Sequence, residues 1–309
     1  MKRALVTGAA GFIGSNLTQE LIEAGYAVYA LIEKGDTKSA EKLHSISPEI
    51  GIYEDLDELI EKAVEDEPFS LIFHLATVGV RPDFNDIELI CDVNIKMGCK
   101  LVNFAKKNNS GLLVNFGSCF EYGDHGDVLL TEDMDCYPES LYAISKNASV
   151  KLMTEYSKNQ NVKMITVRPF GVYGKGEGLN RLAPSIISSC INQEEIKTTE
   201  GNQIRDFVNV KDVAKAIITL VNSNYQDYEI YNICSDNPVK VKDFITEIVE
   251  TCGFNRSLIK FGALLYRQNE AMIFAGDNSK LRNLTEYSFP RNHREGILDI
   301  YNELKKGRK

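Results

Sequence analysis

Residues 3–14 read RALVTGAAGFIG, and the rest of the chain is interpreted outward from this stretch. The apolar run Ala4–Thr7 predicts a short, buried, parallel strand. The segment Gly8–Gly14 predicts a glycine-rich turn. Apolar residues at helical spacing follow the turn until Gly25, which ends the helical pattern.

The chemistry of this turn is that of the backbone. Glycines let the main chain come within hydrogen-bonding distance of a pyrophosphate, and a helix N-terminus offers free N–H groups and partial positive charge. The order strand, turn and helix therefore predicts a site for NAD or NADP, with a purely structural tight turn as the alternative. The residues predicted to contact the cofactor here are Gly8, Gly11, Phe12, Ile13 and Gly14.

Size and composition exclude several classes of protein. The chain has 309 residues, enough for one large or two unequal domains, and its net charge of −9 argues against binding nucleic acid or an anionic membrane. Its apolar runs are too short for a membrane span, and a strand that begins at residue 3 leaves no room for a targeting segment. Seven scattered cysteines suit a reducing cytoplasm, and four histidines without ligand spacing predict no metal site.

Strands alternate with helices through the first half of the chain. Further strands are predicted over 26–32, 51–54, 69–75 and 112–116, with helical patterns between them. This alternation predicts an α/β fold, a Rossmann-type doubly wound parallel sheet with right-handed crossovers. Ligands of such sheets bind at the carboxyl ends of the strands.

The end of the second strand bears on the choice between NAD and NADP. Glu33 could accept the ribose hydroxyls and would repel a 2′-phosphate, whereas Lys34 or Lys38 could attract one. Solvated turn charges explain these residues equally well, so the choice stays open. After the third strand, Asp55 is expected to cap the helix from Leu56 to Val64, and it could also face the adenine. Leu56 is a further candidate for contact with the cofactor there.

The fourth strand and the helix after it add further candidates. A cofactor could pass over the end of the strand at Leu75, Ala76 and Thr77. His74 is more consistent with a buried core histidine than with a catalytic residue. In the helix predicted over 86–107, Asn94 either positions the backbone near the cofactor or hydrogen-bonds within the core. The apolar stripe of that helix is Ile87, Ile90, Val93, Met97, Leu101 and Phe104.

The fifth strand and the helix beyond it carry the candidate catalytic residues. Ser118 follows the strand, and Tyr142 and Lys146 share one face of a helix predicted to run to about Tyr156. This set predicts hydride transfer at a carbinol carbon while a proton moves on the oxygen. A free phenol has a pKa of ~10, which a neighbouring ammonium and an oxidised nicotinamide would lower towards neutrality. Ser118 would hold the substrate oxygen.

These motifs together resemble the extended short-chain dehydrogenase/reductase family, the NAD-dependent epimerase/dehydratases that act on nucleotide sugars. The resemblance covers nearly the whole chain. Beyond the residues above it rests on Arg168–Gly174 (RPFGVYG), on Gly201–Val208 (GNQIRDFV) and on Arg267, which lies ten residues before Asp277. It implies an NAD(P)-dependent oxidoreductase of nucleotide sugars.

The resemblance also implies two domains and a homodimer. The dinucleotide-binding domain would span 1–167, with 208–232 returning to it, and a smaller α/β domain over 168–309 would bind the nucleotide-diphosphate sugar. Two chains would pair through the helices over 86–107 and 140–158. Guanidinium groups suit phosphate oxygens well. The residues that match substrate contacts of the family are Ser118, Cys119, Arg168, Gly171, Asn180, Arg181, Leu182, Arg205 and Arg267.

Departures from the family pattern narrow the reaction. Its dehydratases carry Asp-Glu directly after the strand-end Ser or Thr, where this chain has Cys119 and Phe120, so 4,6-dehydration is not expected. The epimerase-reductases that form fucose carry Cys at the position of Phe120, which disfavours that chemistry as well. Glu121 comes one position late and should face differently. Gly171 stands where the family usually has Asn, which changes one substrate contact.

Two reactions of the family need only Ser118, Tyr142 and Lys146. These are a 4-keto reduction and a C4 epimerisation with tightly bound NAD. The likeness of 168–182 to bacterial deoxysugar reductases favours reduction of a 4-keto-6-deoxy nucleotide sugar, with Tyr142 as proton donor. A cofactor-binding protein without catalysis is a third reading, but such proteins usually lose the tyrosine or the lysine, and both are present here.

Overall fold

The computed structural model of the protein describes residues 1–62, 67–81, 83–266 and 270–306. The strands are β1 Arg3–Thr7, β2 Ala27–Leu31, β3 Gly51–Tyr53, β4 Leu71–His74, β5 Leu112–Phe116, β6 Met164–Pro169, β7 Gly171–Tyr173, β8 Ile196–Lys197, β9 Ile204–Arg205, β10 Phe207–Asn209, β11 Ile230–Ile233, β12 Val239–Lys240, β13 Ile259–Lys260 and β14 Ile273–Phe274. The helices are α1 Phe12–Glu23, α2 Thr37–Ile46, α3 Leu56–Glu61, α4 Ile87–Cys91, α5 Met97–Lys107, α6 Leu141–Gln160, α7 Leu182–Asn192, α8 Val210–Val221, α9 Val241–Thr251, α10 Ser279–Thr285 and α11 Arg294–Lys306.

A seven-stranded sheet with the order β11-β6-β5-β4-β1-β2-β3 forms the centre of the first part of the chain. Strands β1 to β6 pair in parallel. After β1, the chain adds β2 and then β3 on one side of β1. It then crosses to the other side of β1 and adds β4, β5 and β6 in turn. The reversal between β1 and β4 is the switch point at which doubly wound sheets bind ligands. The predicted Rossmann-type fold is confirmed.

Contacts between residues divide the described chain into two compact units. The first consists of Met1–Gly123, Glu132–Pro169 and Ala214–Tyr231 and contains most of the large sheet. The second consists of Asp124–Thr131, Phe170–Val213 and Asn232–Lys309. The function of each domain stays a prediction, because a division into compact units does not identify a ligand.

The core of the first unit lies between the sheet and the helices α5 and α6. Apolar residues in matching register on four strands face this side, because side chains alternate along a strand. From the helices, Leu101, Phe104 and Met153 pack against them, and all three are fully buried. The strand residues of this row are Leu5, Ile72, Leu113 and Met164.

The helix predicted over 86–107 is present as a continuous stretch that includes α4, α5 and a π-helical segment at Asp92–Lys96. The prediction that Ile87 belongs to its apolar stripe is wrong, since this side chain is 54% exposed at the first turn. The helix predicted from Leu56 ends at Glu61 in the structure, and Val64 lies outside the described residues. Helix α2 was not predicted.

The second unit has its own core, built mainly by α7, α9 and α11 with Tyr173 from β7. Its strands are short and form a pair β10-β7, a pair β13-β8 and a three-stranded sheet β12-β9-β14. Phe207 stacks on Phe244 with ring centroids 3.9 Å apart, and His293 packs edge-on against Phe244. The described substrate residues predicted in this unit lie on its short strands and at the loop that leads into α7.

The described part of the chain lacks both a membrane-spanning helix and a cluster of metal-binding side chains. There, no helix is both long and apolar enough to cross a lipid bilayer. The same residues contain no cluster of three or more His, Cys, Asp or Glu side chains that could hold a metal ion.

We predict that the hydroxyl of Ser140 stabilises α6, the helix that carries Tyr142 and Lys146. Its Oγ accepts the Ala143 N–H at 3.1 Å, which is an N-cap. Ser140→Ala should lower the free energy of unfolding by about 1 kcal/mol in urea denaturation. Ser140→Asp keeps an acceptor and should lose less; equal losses in both variants would show that the cap does not contribute.

Candidate active site

The glycine turn is built so that its backbone can approach a ligand. Gly8 has φ +67°, and its carbonyl accepts the Gly11 N–H at 3.0 Å. A Cβ on Gly14 would collide with that same carbonyl oxygen. Helix α1 begins at Phe12, with Gly11 as an N-cap that contributes no side-chain hydrogen bond. The first N–H groups of α1 therefore suit the pyrophosphate of a dinucleotide.

The turn also packs on the end of β4. A Cβ on Gly8 would lie 2.8 Å from the Ala76 nitrogen. Thr7 at the end of β1 ties the two strands together, since its Oγ1 accepts the Ala76 N–H at 3.1 Å and lies 2.9 Å from His74 Nδ1. The predicted residues Leu75 and Ala76 thus lie directly beside the glycine turn.

The residues predicted near the adenosine lie at the ends of β2 and β3. Asp55 caps α3, because one carboxylate oxygen accepts the N–H groups of Asp57 at 2.9 Å and Glu58 at 3.1 Å, and these bonds lower its pKa. The predicted cap is confirmed, while a contact of Asp55 or Leu56 with adenine stays a prediction. Glu54 accepts the Gly35 N–H at 3.2 Å and so orders the loop after Glu33 and Lys34.

Asn94 joins three parts of the first unit. Its Oδ1 accepts the Thr77 hydroxyl and the Val78 N–H, each at 2.9 Å. Its Nδ2 donates to the Val78 carbonyl at 3.0 Å and to Ser145 Oγ at 2.9 Å, and Ser145 in turn donates to the Tyr142 carbonyl at 2.8 Å. Asn94 is fully buried within the π-helical segment. All of these bonds go to the protein, so the side chain holds the segment after β4 against α6.

Ser118 begins a tight turn at the end of β5. Its Oγ accepts the Phe120 N–H at 3.3 Å, and its own N–H donates to Glu121 Oε1 at 2.7 Å, which together form a capping box on the 3₁₀ turn Cys119–Glu121. Cys119 is buried, as expected for packing, and Phe120 is 52% exposed. The geometry of this turn fixes where the Ser118 hydroxyl lies.

A buried ion pair anchors this turn. Glu121 Oε2 accepts from Arg168 Nε at 3.1 Å and from Nη2 at 2.8 Å, and the two side chains are 0% and 3% exposed. The guanidinium lies 4.4 Å from the centre of the Tyr122 ring. Arg168 was predicted to contact substrate, but in this structure its fork holds the turn that carries Ser118. No local sequence pattern indicates this pairing, because 47 residues separate the partners.

Tyr142 and Lys146 lie in the first two turns of α6, as predicted. The helix packs against the turn that follows Ser118, which brings the three candidate catalytic residues into one region of the first unit. Lys146 is 2% exposed. Burial lowers its pKa to about 8, while the charge of Glu121 acts in the opposite direction. Its ammonium form therefore predominates at neutral pH.

The described substrate residues predicted in the second unit lie on two short strands, β7 and β9, and at the loop that leads into α7. Gly171 donates its N–H to the Asp206 carbonyl at 2.9 Å, and a Cβ there would lie 2.5 Å from that oxygen, which explains why glycine replaces the family's Asn. Asn180 and Arg181 are exposed, and Arg181 precedes α7 without capping it by its side chain. Leu182 opens that helix.

The two other arginines predicted to contact the substrate in this part of the chain are Arg205 and Arg267. Arg205 donates to Glu270 Oε1 at 2.5 Å and to the Ile204 carbonyl at 2.8 Å, so it forms an ion pair within the second unit. Arg267 lies outside the described residues. Sequence reasoning missed Glu177, whose Oε2 is buried without a partner among the described residues and whose pKa burial raises to about 7. It is close enough to Arg181 for the charge of the guanidinium to lower that pKa.

Comparison with known proteins identifies the wider group to which this architecture corresponds. A model described as the NAD dependent epimerase/dehydratase family matches residues 4–234. The CDP-abequose synthase of Salmonella typhimurium is 28% identical over 286 residues, which cover 90% of each chain. The GDP-6-deoxy-D-talose 4-dehydrogenase of Aggregatibacter actinomycetemcomitans is 27% identical over 297 residues, 93% of each chain.

A solved structure shows the same fold. The UDP-glucuronic acid 4-epimerase of Bacillus cereus, crystallised with UDP-glucuronic acid and NAD, superposes with a TM-score of 0.85 at 23% identity, over 98% of this chain and 99% of that one. At this identity the likeness extends to the fold, including the doubly wound sheet and the second unit.

We predict that Gly14→Ala disrupts cofactor binding. The added methyl group would collide with the Gly8 carbonyl and displace the turn, so the affinity for NADH or NADPH should fall at least about tenfold, or ~1.4 kcal/mol. Fluorescence titration of the full-length protein measures this. Gly25→Ala is the control, because its left-handed φ of +83° makes alanine destabilising while nothing lies within 4 Å of the added Cβ, so it lowers stability without a collision in the turn. Unchanged affinity in Gly14→Ala would contradict the proposed role of the turn.

We predict that Arg168→Met is strongly destabilising, because it leaves the buried Glu121 carboxylate without its partner. The loss in free energy of unfolding should be about 3–5 kcal/mol. Adding Glu121→Gln removes the charge but keeps an oxygen for the Ser118 N–H, so the double variant should recover most of the loss. Urea denaturation of both single variants and of the double variant tests this; additive losses would show that the two side chains are not coupled.

Proposed function

Since the chain belongs to the NAD-dependent epimerase/dehydratase family, we propose that it reduces the 4-keto group of a 6-deoxy nucleotide sugar, with NADH or NADPH as the reductant. The observation that carries this proposal is the buried Lys146 one helical turn from Tyr142, on a helix that packs against the turn begun by Ser118. The residues present also fit the dinucleotide, as the glycine turn and its backbone N–H groups indicate.

In this proposal each catalytic residue has one task. The bound nicotinamide supplies the hydride when it is present. Tyr142 donates its phenolic proton to the oxygen of the sugar C4, and Ser118 hydrogen-bonds and polarises that oxygen beforehand. Lys146 stabilises the phenolate that Tyr142 becomes, because an ammonium nearby favours the charged form of a phenol. The proton and the hydride together convert the ketone to the hydroxyl.

We assign Asn94, Glu121 and Arg168 to positioning rather than to contact with ligands. The Asn94 side-chain amide forms hydrogen bonds with Thr77, Val78 and Ser145. It would therefore affect cofactor binding by positioning the backbone after β4. Glu121 and Arg168 together hold the Ser118 turn. For Arg168 this assignment replaces the substrate contact that the resemblance implies; for Asn94 it agrees with the predicted positioning of the backbone.

We assign the nucleotide diphosphate to the second unit. The uncapped N-terminus of α7 offers backbone N–H groups from Leu182 and Ala183, and the exposed Arg181 adds a guanidinium beside them. The Arg205 guanidinium could also bind the diphosphate if its ion pair with Glu270 were replaced by one with a phosphate group. The base of the nucleotide is not part of the proposal.

Two observations favour reduction at C4 over dehydration. The positions that would hold the acid and base of a dehydratase are a buried cysteine, Cys119, and an exposed phenylalanine, Phe120. A relative that matches over 93% of the chain is named a 4-dehydrogenase of a 6-deoxy nucleotide sugar, and dehydrogenation at C4 is the reverse of the proposed reduction at the same carbon.

A nucleotide-sugar C4 epimerase is the second candidate, because the family includes epimerases and the same three residues serve that reaction. The two reactions differ in their use of cofactor. A reductase consumes NADH or NADPH in proportion to substrate, and the nicotinamide absorbance falls. An epimerase would copurify with NAD and interconvert two sugars without a net change in that absorbance.

We propose that two chains pair through α6 and through the continuous helical stretch that contains α4 and α5, and that the enzyme is cytoplasmic. Exposed apolar side chains on these helices support the pairing. They are Ile87 and Leu89 on α4, and Leu141, Ile144 and Leu152 on α6. All seven cysteines are unpaired, which suits a reducing compartment. Sedimentation velocity of the purified protein tests the dimer.

We predict that Tyr142→Phe abolishes turnover of 4-keto nucleotide sugars while leaving the affinity for NADH or NADPH unchanged. The variant removes the transferred proton and keeps the ring. Turnover is followed by nicotinamide absorbance, and cofactor binding by fluorescence. Tyr301→Phe is the matched control, since it makes the same change in the second Tyr-x-x-x-Lys of the chain, on α11. Undiminished turnover in Tyr142→Phe would remove this residue from the mechanism.

A further inference from the structure

A row of polar residues crosses the sheet where its central strands end. Parallel register aligns these residues on β1, β4, β5 and β6, so their side chains point to the same face. Two positions earlier on each strand, the same face carries the apolar core row. All four polar side chains are at most 2% exposed. They are Thr7, His74, Asn115 and Thr166.

Two members of this row lack partners. Asn115 forms no hydrogen bond from either Oδ1 or Nδ2 to any part of the chain that the structure describes, and the same holds for His74 Nε2. Thr7 Oγ1 accepts the Ala76 N–H and lies 2.9 Å from His74 Nδ1, so the hydrogen-bonding capacity of Nδ1 is used and that of Nε2 is not. Burial lowers the pKa of His74 to about 3, so the ring is neutral. The row therefore presents His74 Nε2 and both halves of the Asn115 amide.

Helix α6 packs on this face, and Lys146 lies two turns before Met153 on the same side of the helix. Met153 of α6 belongs to the core cluster built on the neighbouring apolar row. The charge of Lys146 contributes to the lowered pKa of His74, which requires the two groups to be near each other. Glu121 acts on Lys146 from the 3₁₀ turn, and Arg168 on β6 neutralises Glu121.

We propose that His74 and Asn115 form an internal hydration site beneath Lys146, and that Asn115 is a positioning residue that stabilises the Lys146 ammonium through the bound water. Buried polar groups without protein partners are commonly satisfied by ordered water that makes two to four hydrogen bonds. A water here can accept from the Lys146 ammonium, donate to Asn115 Oδ1, and form a further hydrogen bond with His74 Nε2. The role assigned to Lys146 rests on the proposed function, whereas the hydration site does not.

The first test is a crystal structure of the full-length protein at a resolution that shows ordered solvent. We expect water within about 2.7–3.2 Å of both His74 Nε2 and the Asn115 amide. The same position in Asn115→Leu should be dry, because leucine removes both polar atoms and fills the space. Wild-type protein without water at this place would overturn the hydration site, whatever reaction the enzyme catalyses.

The second test is the titration of Lys146, followed by NMR in protein labelled at lysine and assigned with Lys146→Met. The groups that face Lys146 are His74, Glu121 with Arg168, and Tyr142 on its own helix. Asn115→Leu should lower the pKa of Lys146 by about one unit, a tenfold change in the ammonium equilibrium, because it removes the dipoles that stabilise the charge. Asn115→Asp should raise it, because it adds a carboxylate.

Leu113→Met is the matched control, since Leu113 lies on the same face of β5 two residues before Asn115 and belongs to the apolar row. It should leave the Lys146 titration unchanged even if it lowers stability. Unchanged titration in both Asn115 variants would show that Asn115 does not position Lys146. Because both tests need no substrate, they can succeed even if no 4-keto sugar is turned over, and they can fail while turnover is intact.

Discussion

The parallel alignment of β1, β4, β5 and β6 is the constraint on which the rest of the structure depends. It brings the carboxyl ends of these strands to one edge of the sheet, so that the glycine turn, the Ala76 segment and Ser118 all begin there. Each is then fixed by short-range contacts, such as Gly8 against Ala76 and Ser118 with Glu121. The geometry of the candidate site therefore follows from the register of these strands and from a few close contacts between the segments that follow them.

The same edge is where the core changes from apolar to polar. Within two residues along each strand the side chains pass from Leu, Ile and Met to Thr, His and Asn, although burial remains complete. Buried polar groups are costly unless they are paired, and charges more so. Glu121 is paired with Arg168, and the Asn94 amide is fully hydrogen-bonded, whereas His74 Nε2 and the Asn115 amide have no partner among the described residues.

This arrangement gives the proposed chemistry a physical basis. A lysine with a pKa of about 8 is still charged at neutral pH, but its charge is little screened by solvent because the side chain is buried. Its effect on a phenol one helical turn away is correspondingly large. The positions occupied by Cys119 and Phe120 offer no group for elimination of water, which is one reason why we propose transfer of a proton and a hydride at one carbon.

The sequence by itself determined the sheet, because each strand is a short apolar run and the helices between them have a clear period. It also located Ser118, Tyr142 and Lys146, since a strand end and an i, i+4 spacing are local patterns. The pairing of Glu121 with Arg168 and the unsatisfied amide of Asn115 were decided by tertiary structure alone. They depend on which strands become neighbours, and the partners lie dozens of residues apart, so no local pattern records them.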